Sequence, residues 1–137
     1  HYAVSASVRE RIAQDFVSVS VSDAQGLMQI QSVYRQHGYA MDPHTAAAWA
    51  GREAAQGNRP CVVLSTASPF KFPQAMAQAL GFAGIDDTVD AAERLGQALG
   101  QPVPVSLSGL GQRPVLHPDV IEAGDMDDYV RRMVDAW

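Results

Sequence analysis

Two adjacent hydroxyl residues, Ser65 and Thr66, close the apolar run Cys61-Val62-Val63-Leu64 and stand just before a proline-bounded turn, Ser68-Pro69-Phe70-Lys71-Phe72-Pro73. A short, continuous apolar run has the pattern of a strand buried on both faces. Ligands of open α/β sheets sit outside the carboxyl ends of the strands, so Ser65 and Thr66 are where chemistry is expected. Adjacent strand residues point to opposite faces, which sets the two hydroxyls apart. His44 lies in the first turn of a helix opened by Asp42-Pro43 and is a candidate for acid–base or substrate contact. Lys71 is the single lysine among ten basic residues. Cys61 enters an apolar strand with no base beside it in sequence, which argues for packing over nucleophilic chemistry. Asp86-Asp87 and Asp125, Asp127 and Asp128 carry the donors of a metal site. Each group immediately precedes an expected helix, where carboxylates favour the positive end of the dipole, so they read as capping residues and no metal site is expected.

The elements that would hold these residues follow from punctuation. A helix is expected over about 8–16, with Val8, Ile12 and Phe16 on one face, and the alternation over 16–21 reads as extended. Ser22 or Asp23 caps a helix running to about Gln36, and Gly38 stops it. Its polar stripe, Gln25, Gln29, Ser32 and Gln36, is narrow, so the wide apolar arc needs more than one neighbour. Asp42 is the N-cap of the next helix, with Pro43 at its first position, where a missing N–H costs nothing. Its alanines allow close approach, and Gly57 ends it. Helices are expected at 73–80, stopped by Gly81, at 89–99 and at 126–136, with a turn at 100–104 and a mostly extended 113–121.

Composition sets outer limits. At 137 residues the chain fits one domain, and 47% apolar with 18% charged residues describes an ordinary globular protein. A net charge of -5 without any basic run argues against nucleic acid or an anionic membrane as partner. No apolar stretch approaches the roughly 20 residues that span a bilayer. One cysteine makes no internal disulfide and suits a reducing cytoplasm. A strand apolar on both faces needs ladder partners on both sides. The candidates, 16–21, 103–107 and 115–120, are weak, so those partners are expected in sequence outside this chain, which reads as the tail of something larger. The start at His1, without an initiator methionine, favours an engineered or proteolytic truncation.

From about Asp15 to Met133 the order of features resembles the C-terminal third of threonine synthase. The specific segments are Asp42-Pro43-His44-Thr45-Ala46 and Val62-Val63-Leu64-Ser65-Thr66-Ala67, followed by Pro69 and Lys71-Phe72-Pro73. Val103-Pro104, Pro114-Val115-Leu116-His117 and Met126 also look like that family's tail. Many members have histidine where this chain has Ser68 and alanine where it has Phe70.

The resemblance implies an α/β fold: a helix-rich C-terminal part of a fold type II large domain, with one buried strand at about 61–66 and residues 1–137 as a single segment. It implies a lyase dependent on pyridoxal 5'-phosphate (PLP), converting O-phospho-L-homoserine and water to L-threonine and phosphate. In that reading Thr66 and Ser65 are cofactor-binding, Thr66 lying against the pyridine nitrogen. Lys71 and His44 are substrate contacts, and none of the four is catalytic. The family's Schiff-base lysine and its Gly/Asn-rich phosphate loop lie upstream of the resembling region, so the chain alone is expected to be inactive and to need the remainder of its own polypeptide. Two other readings stay open: a different fold type II PLP enzyme, and a non-catalytic α/β module that binds a partner or phosphorylated metabolite.

Overall fold

The computed structural model describes residues 3–54 and 60–136. Six α-helices occur among them: α1 (Ala6–Asp15), α2 (Asp23–His37), α3 (Pro43–Ala54), α4 (Pro73–Leu80), α5 (Ala91–Leu99) and α6 (Met126–Asp135). Short 3-10 turns occupy Pro69–Lys71, Leu110–Gln112 and Ala123–Asp125.

Local chemistry accounts for the boundaries. Ser22 and Gln25 form a reciprocal capping box: Ser22 Oγ accepts from the Gln25 amide, and Gln25 Oε1 accepts from the Ser22 amide at 2.9 Å. Gly38, Gly81 and Gly100 end α2, α4 and α5 with φ of 66, 76 and 64°, a left-handed conformation that only glycine adopts freely. The helix stop expected at Gly57 lies outside the described residues.

Helix α2 is the spine of the core, packing against α3 on one side and α4 on the other, while α5 covers α4. This is the double coverage its wide apolar arc requires. Ile30 from α2, Met41 before α3, Met76 from α4 and Leu95 from α5 are fully buried at the centre. Phe70, on the 3-10 turn that joins the 61–66 segment to α4, plugs the same cluster. Gly96 is required where α5 meets the following loop: a Cβ there would stand 2.9 Å from Val103 Cγ2 and 3.0 Å from the Gln101 carbonyl oxygen.

The α/β expectation is overturned. Among the described residues there is no strand and no sheet, and the architecture is helical. The run at 61–66, expected to be a buried strand, lies open to solvent, with Val62 84% and Leu64 71% exposed. None of its backbone groups makes a backbone–backbone hydrogen bond to a described residue. Apolar composition favours a buried strand only where a neighbouring strand supplies the ladder, and here none does. The 16–21 stretch likewise has no ladder partner among the described residues, its Phe16 amide closing α1 on the Ile12 carbonyl, and it skirts α3, where Val19 approaches Gly51.

The acidic groups also differ from the expected caps. Asp125 occupies the N-cap position of α6 without a side-chain cap bond. Asp86 instead pairs with Arg94 at 3.5 Å, alongside the Asp90–Arg94 pair at 3.0 Å. No cluster of three metal-ligating side chains occurs among the described residues.

Candidate functional site

The N-cap of α3 is the only acidic residue buried as a whole among the described residues. Asp42 is fully buried, and its Oδ1 accepts the backbone amides of His44 at 2.9 Å and Thr45 at 3.2 Å. These are two of the orphan donors that any helix start presents. The other oxygen, Oδ2, is taken by the Thr45 hydroxyl in a short contact. Thr45 Oγ1 lies 3.3 Å from Ser65 Oγ, and Tyr39 donates its phenol to Ser65 Oγ at 3.3 Å. A line of polar groups thus runs from the buried helix cap to the exposed end of the 61–66 segment.

Thr66, the next residue, is exposed and makes no hydrogen bond to a described residue. It opens onto a cleft of about 460 Å³ between α3 and the two extended stretches, which also receives His44, Cys61 and Arg52. Most of the remaining lining is apolar, from Val17, Val19, Val62 and Leu64 among others. His44 is exposed and stacks edge-on against Phe72, ring centroids 5.1 Å apart, which fixes the ring at the start of α3. Lys71 projects from the 3-10 turn into solvent, outside that cleft. The structure therefore joins Thr66 and His44 in one cleft, ties Ser65 back to Asp42, and leaves Lys71 apart. Arg52 lies over the Trp49 ring at 4.6 Å, so its cation is held at the cleft rim by the aromatic face.

Thr45 and Tyr39 escaped sequence reasoning. Thr45 carried a usable signal, since a hydroxyl three residues after an Asp N-cap sits beside the cap's second oxygen. Tyr39 carried none, because its partner is 26 positions away.

With this geometry in view, the matches to known proteins are specific. Residues 44–128 match the threonine synthase C-terminal family, so His44, Thr45, Ser65, Thr66 and Lys71 all fall within the match and Asp42 stands just before it. The chain belongs to that family. It is similar to human threonine synthase-like 1, with 36% identity over 89 residues, covering 64% of this chain and 12% of that protein. It is also similar to threonine synthase from Pseudomonas aeruginosa, with 46% identity over 66 residues, covering 47% of this chain and 14% of that protein. The chain therefore spans a small fraction of the length of the curated relatives it matches, and it is a threonine synthase-related C-terminal segment.

Proposed function

We propose that this chain is the C-terminal part of a PLP-dependent threonine synthase, acting on O-phospho-L-homoserine and water, with the 61–66 segment and the turn after it as one wall of the cofactor site. The observation that carries the reading is the family match over residues 44–128, which includes the Ser65-Thr66 pair. PLP, when bound, supplies the electron sink that lets a proton leave the substrate carbon skeleton and phosphate depart.

The donor set supports one wall of such a site. Thr66 offers an exposed neutral hydroxyl with its proton uncommitted among the described residues, suited to an aromatic nitrogen acceptor. A neutral donor does not stabilise a full positive charge on the ring as a carboxylate would, so it tunes the ring moderately. The valines beside it offer a ring face an apolar surface. Lys71, exposed on the adjoining turn, is a mobile ammonium able to meet a substrate phosphate. His44, held by Phe72, stands on the cleft wall as a substrate contact. The remainder of the polypeptide is the partner on which activity depends.

The test is an assay of the complete polypeptide with O-phospho-L-homoserine, reading threonine and phosphate release together. Both products are expected in equal amounts, and Thr66→Val should lower kcat/KM by about 10- to 100-fold through loss of one positioned donor. Four relatives bear the name threonine synthase-like 1, which favours a second reading: a family member with an altered substrate. PLP binding without turnover of O-phospho-L-homoserine would select it.

A further inference from the structure

The cleft that receives Thr66 departs from the charge of the chain as a whole. The sequence holds 15 acidic and 10 basic residues, for a net charge of -5, yet no Asp or Glu is among the described residues that line this cleft. Arg52 is the one permanent cation among them, and Lys71 lies outside. Arg52 makes no ion pair with a described carboxylate, since both ion pairs of the described residues belong to Arg94. His44 and Arg52 line the same cleft from α3, eight positions apart, or about 12 Å along the helix axis. Each is braced by an aromatic side chain: His44 meets Phe72 edge-on at 5.1 Å, and Arg52 lies 4.6 Å over the Trp49 ring. A guanidinium stacked on a ring uses its face, and its in-plane N–H groups stay available as a fork for two oxygens. The stacking also limits its freedom before a ligand arrives, so less is lost on binding.

We propose that Arg52 is the phosphate-recognising residue of this cleft and sets its preference for a phosphate monoester substrate. The inference rests on the reading of the cleft as part of the substrate and cofactor site. A phosphate monoester presents three terminal oxygens, and a guanidinium meets two of them in parallel, a geometry that an ammonium does not reproduce. With no carboxylate in the described lining to claim it, the Arg52 fork is left to a ligand. Lys71 is an ammonium in solvent outside the cleft, so its share of the phosphate affinity is the smaller one. The guanidinium stays charged throughout the working pH range, so Arg52 moves no proton and its role is binding alone.

The experiment uses the complete polypeptide loaded with PLP and reads three quantities: affinity for inorganic phosphate by calorimetric titration, KM and kcat with O-phospho-L-homoserine, and PLP retention. Arg52→Ala should weaken phosphate binding by about 10- to 100-fold, the factor a charge-assisted pair supplies. KM should rise by a similar factor while kcat stays within about threefold, because the contact is made alike in ground and transition states. PLP retention should not change. Alanine suits a helix, so the variant keeps α3. Arg52→Lys restores the charge without the fork and should stay about 3- to 10-fold weaker than the unaltered protein. Lys71→Ala should cost about 2- to 3-fold. An Arg52→Ala protein with unaltered phosphate affinity and KM overturns the proposal, as does a larger loss in Lys71→Ala or an unaltered protein that binds no phosphate. Weakened PLP retention with unaltered phosphate affinity would assign Arg52 to the phosphate of the cofactor and overturn it as well. An unaltered polypeptide that does not turn over O-phospho-L-homoserine overturns the underlying reading instead, and the phosphate titration still decides on Arg52.

Discussion

Helices α2 to α5 hold a smaller proportion of Val, Leu, Ile and Met than the stretches around them, yet the two regions end in opposite situations. In the first, Ile30, Met41, Met76 and Leu95 are fully buried against one another. In the second, α1 buries no residue, 61–66 runs in the open, and Val115, Leu116, Val120 and the Met126, Val130 and Val134 face of α6 are exposed. The difference teaches that amphipathic pattern alone does not make a core. A helix or strand with an apolar face becomes stable by tertiary packing, and the flanking segments have no surface here to pack on. The candidate site lies on the border between the two regions: its anchor, Asp42, belongs to the packed region, and its exposed members, Ser65 and Thr66, belong to the open one.

The largest expected effect would break this contrast outright if absent. Leu95→Ala should destabilise the chain by about 2–5 kcal/mol, the range for emptying a buried leucine site. Leu116→Ala, in the exposed tail, should change stability by no more than about 0.5 kcal/mol. Urea midpoints of the two variants decide it, and equal shifts would mean the tail is packed after all.

A glycine pair sharpens the same contrast inside the packed region. Gly96→Ala drives a Cβ against Val103 and the Gln101 carbonyl, and a cost of about 1–3 kcal/mol is expected. Gly26→Ala, in the first turn of α2 with no atom within 4 Å of the new Cβ, should gain up to about 1 kcal/mol from helix propensity. Opposite signs in thermal melts would confirm that α5 is jammed against its loop while that face of α2 is open.

The smallest effect concerns charge. Thr88 hydrogen bonding and then Arg94 hold the Asp90 carboxyl below its ordinary range. A carboxyl depressed in the folded state contributes stability above its unfolded pKa and loses that contribution as pH falls through the folded value. The advantage of the unaltered chain over Asp90→Asn should therefore be level at neutral pH and fade below about pH 4. The pair is solvent-exposed, so added salt should shrink the difference. A difference that instead grew on acidification would reverse the assignment.

The sequence determined a good deal without help. Ser22, Gly38, Asp42-Pro43, Pro73 and Gly81 mark helix ends through chemistry that acts within four residues, so those boundaries were legible. The family was legible too, because its motifs are short and local, and the match over 44–128 bears it out. What sequence could not determine was anything that depends on a distant partner. The apolar run at 61–66 reads as a buried strand because its residues suit one, but a strand exists only when another chain segment completes its hydrogen bonds, and no described residue does. Asp86 was expected to cap a helix and was claimed by Arg94. The line from Asp42 through Thr45 and Ser65 to Tyr39 likewise joins positions up to 26 residues apart. Only the tertiary structure decided it, because a hydrogen bond depends on which donor meets which acceptor in space, and the order of residues carries no record of that.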